Sequence, residues 1–115
     1  MGESGCVAGA IARGDIRLFS FAPPDKQRPV LVLTRQSAIG YLAKVTVAPV
    51  TSSIRGVPSE VQLSEADGLK YPCVVNLHNI ITVSKTHLGP CIATLSPDRL
   101  REVCKALGFA LGCIP

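Results

Sequence analysis

Arg28-Pro29-Val30-Leu31-Val32-Leu33-Thr34 and Ala43-Lys44-Val45-Thr46-Val47-Ala48-Pro49-Val50 are the two runs whose reading decides the fold. The first is apolar at consecutive positions, the pattern of a strand covered on both faces and therefore central in its sheet. The second is rich in β-branched residues, which suit a pleated, half-buried surface. The short connection through Gly40 favours antiparallel pairing of the two. Polar residues sit at their ends: Lys26-Gln27-Arg28 opens the first, and Thr51-Ser52-Ser53-Ile54-Arg55 follows the second, closed by the turn glycine Gly56. In an antiparallel pair the start of one strand lies beside the end of the other. Arg28 and Thr51 are thus expected at one rim.

Working outward, Asp15–Phe21 alternates polar and apolar residues and reads as the first strand. The prolines of Ala22-Pro23-Pro24-Asp25-Lys26-Gln27 deny a ladder its donors and make that stretch a tight loop. Ser59–Leu63, Pro72–Leu77, Ile80–Val83 and Cys91–Leu95 are further short strands. Ser64-Glu65-Ala66-Asp67-Gly68 reads as one capped turn stopped by glycine. The one long helix is Pro97–Leu111, with Ser96 as N-cap, Pro97 at the first position and Asp98 complementing the dipole. Its stripe of Leu100, Val103, Cys104, Leu107 and Leu111 should pack on the sheet. The expected architecture is mostly β with a C-terminal α-helix: a small, strongly curved sheet or barrel.

The chain has 115 residues, enough for one domain, and 47% hydrophobic residues, too many for disorder. It has no Trp, so aliphatic side chains must fill the core. No run approaches the roughly 18 apolar residues of a membrane span, so no membrane is expected. Residues 1–12 lack the basic region of a signal peptide and read as a flexible extension ahead of a single domain at 13–115. A cytoplasmic location follows, with the five cysteines (Cys6, Cys73, Cys91, Cys104 and Cys113) as reduced thiols. Charge is uneven. Between Arg13 and Arg55 seven basic residues meet two acidic ones, whereas five meet five from Gly56 onward. A polyanionic partner would dock on the first half.

Motif chemistry is excluded step by step. There is no nucleophile elbow, phosphate loop, dinucleotide fingerprint or spaced carboxylate pair. Cys73 and His78, with His87 and Cys91, have loosely metal-like spacing. However, Cys73 adjoins Val74 and Val75, Cys91 precedes Ile92, and free cysteine is usually buried. These read as core positions, and neither a metal nor a cofactor is expected. An acid–base pair of His78 and His87 is chemically possible, although both fall at strand and loop edges. The concentration of polar function is the rim of Arg28 and Thr51. A guanidinium offers planar, bidentate donors and hydroxyls offer single ones, which together cradle a phosphate.

Arg13-Gly14-Asp15-Ile16, Arg28-Pro29-Val30-Leu31-Val32, Val47-Ala48-Pro49-Val50-Thr51-Ser52 and Pro58-Ser59-Glu60-Val61 closely resemble the MazF/PemK/Kid toxin family. Cys73-Val74-Val75-Asn76, Leu95-Ser96-Pro97 and the helix ending at Leu111-Gly112 follow in the same order, so the resemblance spans about residues 13–112. It implies an SH3-like small barrel of the MazF/Kid/CcdB type, assembled as a homodimer. It also implies a sequence-specific, metal-independent endoribonuclease acting on single-stranded RNA and silenced by a cognate acidic antitoxin. The family's catalytic arginine and threonine map onto Arg28 and Thr51. Cleavage would proceed by attack of the ribose 2′-OH, leaving a 2′,3′-cyclic phosphate and a 5′-OH. Lys26, Gln27, Ser52, Ser53, Arg55 and Asn79 are the candidate RNA-binding residues, and Tyr41, Tyr71 and Phe21 the candidates for base stacking.

The chain departs from the family in its first loop, cut here to Pro23-Pro24-Asp25-Lys26-Gln27, and in carrying His78-Asn79 where an acidic–amide pair is frequent. Two other readings compete: a non-enzymatic CcdB-like inhibitor and an RNA-binding barrel without cleavage activity. The ending Gly112-Cys113-Ile114-Pro115 and the lack of tryptophan argue against the first. The shortened loop is what keeps the second open.

Overall fold

The computed structural model describes residues 10–21 and 27–114. The order is β1 (Asp15–Ser20), β2 (Gln27–Val32), α1 (Gln36–Ile39), β3 (Lys44–Thr51), β4 (Glu60–Leu63), β5 (Cys73–Asn76), β6 (Ile81–Ser84), β7 (Leu88–Thr94) and α2 (Pro97–Ala110). All strand pairs are antiparallel, along the path β4-β5-β3-β2-β1-β7, with β6 also on β3. Each predicted strand is present and shifted by a residue or two, except that β7 begins at Leu88, ahead of the expected Cys91. The short helix α1 was not expected. It has neither a side-chain cap nor an acidic first turn, the signals that mark a helix in sequence.

Both faces of the central strands are covered, as the unbroken apolar run of β2 requires: Val30, Leu31 and Val32 are fully buried. One face carries the main core, to which every strand but β6 contributes, among them Ile16, Leu31, Val50, Val61, Val75 and Ala93. Six strands converging on one cluster curl the sheet around it, and α2 closes it with Val103 and Ala106. The other face carries a smaller cluster of Val30, Val32, Ile39, Val45, Val47 and Val83, lidded by α1. Ser96 caps α2 and Ser64 caps a single 3-10 turn, Glu65–Asp67, that ends at Gly68 with φ +94°, both as read from sequence.

Two expectations fail. Cys104 and Leu111 are exposed, and the buried stripe of α2 runs through Val103 and Ala106 instead. One residue of helix turns a side chain by about 100°, so a stripe centred on Val103 and Ala106 leaves Cys104 outside. Cys91 is disulfide-bonded, while Cys73, Cys104 and Cys113 are free. The odd cysteine count argued only against a complete disulfide framework. A single bridge needs no more than two thiols brought within reach.

The sheet also buries a charged pair. Asp15 is 1% exposed and Arg17 7%. Arg17 Nε donates to Asp15 Oδ2 at 3.1 Å, which also accepts from Ala12 N–H, while Oδ1 accepts from Thr94. The two terminal guanidinium nitrogens donate to the carbonyls of Gly89 and Ala10. Removing one partner strands a buried charge. Asp15→Ala should therefore destabilise the fold by about 3–5 kcal/mol in urea titration. Arg101→Ala, which breaks the exposed pair with Asp98, should change it by no more than about 1 kcal/mol.

Candidate active site

β1, β2 and β3 bring three side chains into one row. Phe19 faces Arg28 in the β1–β2 ladder. In the β2–β3 ladder Val30 faces Pro49, Leu31 faces Ala48 and Val32 faces Val47. The paired ladder ends at Val30 and Pro49; the same register carried two residues farther would bring Arg28 level with Thr51. The face follows from strand alternation. Val30, Val32, Val45 and Val47 share the smaller cluster with Phe19. Arg28, two residues before Val30, and Thr51, four beyond Val47, therefore project from that same face. Strands are spaced about 4.8 Å apart, so the row from Phe19 to Thr51 is about 10 Å long.

Hydrogen bonding fixes what each group offers. Arg28 is exposed, and no carboxylate among the described residues pairs with it. Thr51 Oγ1 accepts the Ser53 N–H at 3.1 Å, so its hydroxyl proton remains available to donate. The acids are mostly engaged elsewhere: Asp15 with Arg17, Asp67 and Glu102 with Arg99, Asp98 with Arg101. Glu60 accepts the backbone N–H groups of Arg55 and Gly56 at 3.0 and 2.9 Å. Arg28, Arg35, Lys44 and Arg55 are exposed, and none of them has a carboxylate ion-pair partner among the described residues.

Two concavities among the described residues lie away from the row, a groove of about 380 Å³ between β4 and α2 and one of about 570 Å³ beside Arg13 and Arg35. Exposed Arg28, with Arg35, Lys44 and Arg55 also exposed, suits an extended polyanion.

A family model described as "PemK-like, MazF-like toxin of type II toxin-antitoxin system" matches residues 12–111. The chain belongs to that family. It is 38% identical over 95 residues to endoribonuclease MazF3 of Mycobacterium tuberculosis, covering 83% of this chain and 92% of the relative. It is 39% identical over 97 residues to the same organism's probable endoribonuclease MazF2, covering 84% and 95%. Among solved structures, the M. tuberculosis toxin MazF-mt6 superposes with a TM-score of 0.78 at 36% identity, covering 85% of this chain and 96% of that one. An endoribonuclease in complex with its cognate antitoxin, from a mycobacterial species, reaches 0.81 at 25% identity, covering 92% and 99%. The mostly β fold with its C-terminal helix is thus the fold of MazF toxins.

In this MazF-family toxin the other predicted site residues spread outward from the row. Gln27 is exposed at the start of β2, opposite Ser20. Ser52 and Ser53 are exposed just past Thr51, and Arg55 is exposed farther along the loop that Glu60 ties down. Lys26 and the shortened first loop lie outside the described residues, save for Gln27. Asn79 ends a 3-10 turn, Leu77–Asn79, that interrupts the β5–β6 edge of β3. Pairing there runs Val50 with Val75 but Val47 with Ile81, a three-residue offset that the turn takes up. Asn79 and His78 are consequently exposed across β3 from Arg28, with His78 Nδ1 tied to Ser59 Oγ and Leu77 buried as the anchor.

Cys73 is buried, and burial, then the charge of Asp67, push its thiol up from the usual range, so it stays protonated and inert. Among the described residues no group of three or more His, Cys, Asp or Glu side chains could hold a metal ion. Sequence reading missed Glu60 as the loop's clamp. An acid a few residues past a glycine turn is the available signal. Glu60→Ala should speed hydrogen exchange at the Arg55 and Gly56 amides at least tenfold, read by NMR, while leaving the β2–β3 amides protected.

Proposed function

We propose that this toxin is a metal-independent endoribonuclease of the cytoplasm that cuts single-stranded RNA in a sequence-specific manner. The observation that supports the reading is the antiparallel β2–β3 register, Val30 with Pro49 and Val32 with Val47, whose continuation past Pro49 would bring Arg28 level with Thr51. The substrate supplies its own nucleophile, the ribose 2′-OH. The protein then needs only to hold the phosphate and stabilise charge as the phosphorane forms. The 2′-oxygen gives up its proton to water and bonds to phosphorus, the bond to the 5′-oxygen breaks as that oxygen takes a proton from water, and the products are a 2′,3′-cyclic phosphate and a 5′-OH. Arg28 stabilises the extra negative charge through its bidentate donors. Thr51, whose oxygen already accepts from Ser53, donates a hydrogen bond to a non-bridging phosphate oxygen. Dependence on the 2′-OH restricts the reaction to RNA.

Gln27, Ser52, Ser53, Arg55, Asn79 and Lys26 are the RNA-binding residues of this reading, flanking the row along and across β3. The toxin works as a homodimer of one domain, residues 13–115. Its basic face is masked by a cognate acidic antitoxin that competes with RNA through charge complementarity. Structural neighbours support such a partner, since one is an endoribonuclease in complex with its cognate antitoxin and another is MazE–MazF from Deinococcus radiodurans.

The test is incubation of purified protein with a long single-stranded RNA in EDTA, with end groups mapped. Wild-type protein should cut at defined sites, leaving the end groups above, and should not cut the matching DNA. Arg28→Ala should lose about 10²–10³ in rate, and Thr51→Val about tenfold or more, with unchanged melting temperatures. Wild-type rates from Arg28→Ala would remove the assignment.

A further inference from the structure

We propose that Phe19 is the base-stacking platform of this site, holding the nucleotide base beside the scissile phosphate on the side of Arg28 away from Thr51. The inference rests on the ribonuclease reading above and adds to it a residue that sets substrate preference.

Phe19 is the direct cross-strand partner of Arg28. Opposed residues on one face of an antiparallel pair have Cβ atoms about 5 Å apart. A phosphate held between Arg28 and Thr51 therefore leaves its adjoining base within reach of the Phe19 ring. That ring is held in place: it packs on the Val30, Val32 and Val47 cluster, and Phe21 meets it edge-on with centroids 4.9 Å apart and planes at 81°. It is nonetheless only partly buried. A rigid, partly exposed aromatic beside a cation is what a sequence-tolerant nucleobase site requires. The exposed tyrosines are less well placed, Tyr41 in the turn before β3 and Tyr71 ahead of β5, both outside the row.

Two measurements test this. The first compares wild type with Phe19→Leu, which keeps the apolar packing, on an RNA carrying an abasic ribose at either nucleotide flanking the cut. Wild type should lose about 5- to 100-fold in kcat/KM with the abasic ribose at one flank only, mainly through KM. Phe19→Leu should show that loss on intact RNA and no further loss on the abasic one. Additive losses, a fall in kcat that ignores the base, or equal effects at both flanks would mean that Phe19 merely supports Arg28, and would overturn the proposal. The second uses Phe19→Trp, the sole tryptophan of that variant. Titration with uncleavable 2′-O-methyl RNA should quench its fluorescence, and an abasic ribose at the sensitive flank should abolish the quench. Because this readout needs no cleavage, quenching by a protein that cuts nothing would spare the stacking site and sink the enzymatic reading. Cleavage without quenching would do the reverse.

Discussion

The pairing of Val30, Leu31 and Val32 with Pro49, Ala48 and Val47 is the constraint on which the rest depends. All but the half-buried Pro49 of these residues are buried, so a slip of one position would exchange side chains between the two clusters and misfit both. The register is therefore held by burial along the strand's middle, and it fixes what happens at the strand's end. Arg28 lies two residues before the first paired position of β2 and Thr51 two residues past that position's partner, so both ends hang from packed core residues. In the proposed reaction this packing is what would preorganise the pair, with Arg28 left exposed.

The same sheet uses its charges in two opposite ways. At one end of β1, Asp15 and Arg17 are buried with each polar atom satisfied, a network that joins β1 to β7 and to the chain ahead of β1. At the start of β2, Arg28 is left without a carboxylate among the described residues. Both are arginines on neighbouring strands of a basic first half. Neighbours, rather than residue type, decide which one is structural.

Much of this was legible in the chain. The continuous apolar run of β2 and the short link to β3 sufficed to pair the two strands antiparallel. The capped turn at Ser64 and the N-terminus of α2 were readable because side-chain capping is local chemistry. What escaped is what depends on distant partners. α1 forms without capping signals because Ile39 closes the smaller cluster. Cys104 resembles a stripe residue until the helix is docked. The disulfide state of Cys91 rests on proximity that no spacing reveals. Phe19 and Phe21 were equivalent in alternation, and only the ladder to β2 distinguishes the one beside Arg28.

The three-residue turn between β5 and β6 has a bearing on how such toxins diversify. Leu77 plugs the core and His78 is tied to buried Ser59, which leaves Asn79 as the position of this turn that packing does not hold. Exchange of Asn79 leaves the β2–β3 register untouched. If the proposed reaction holds, drift at this single overhanging position is a route by which substrate choice could shift while the chemistry is inherited.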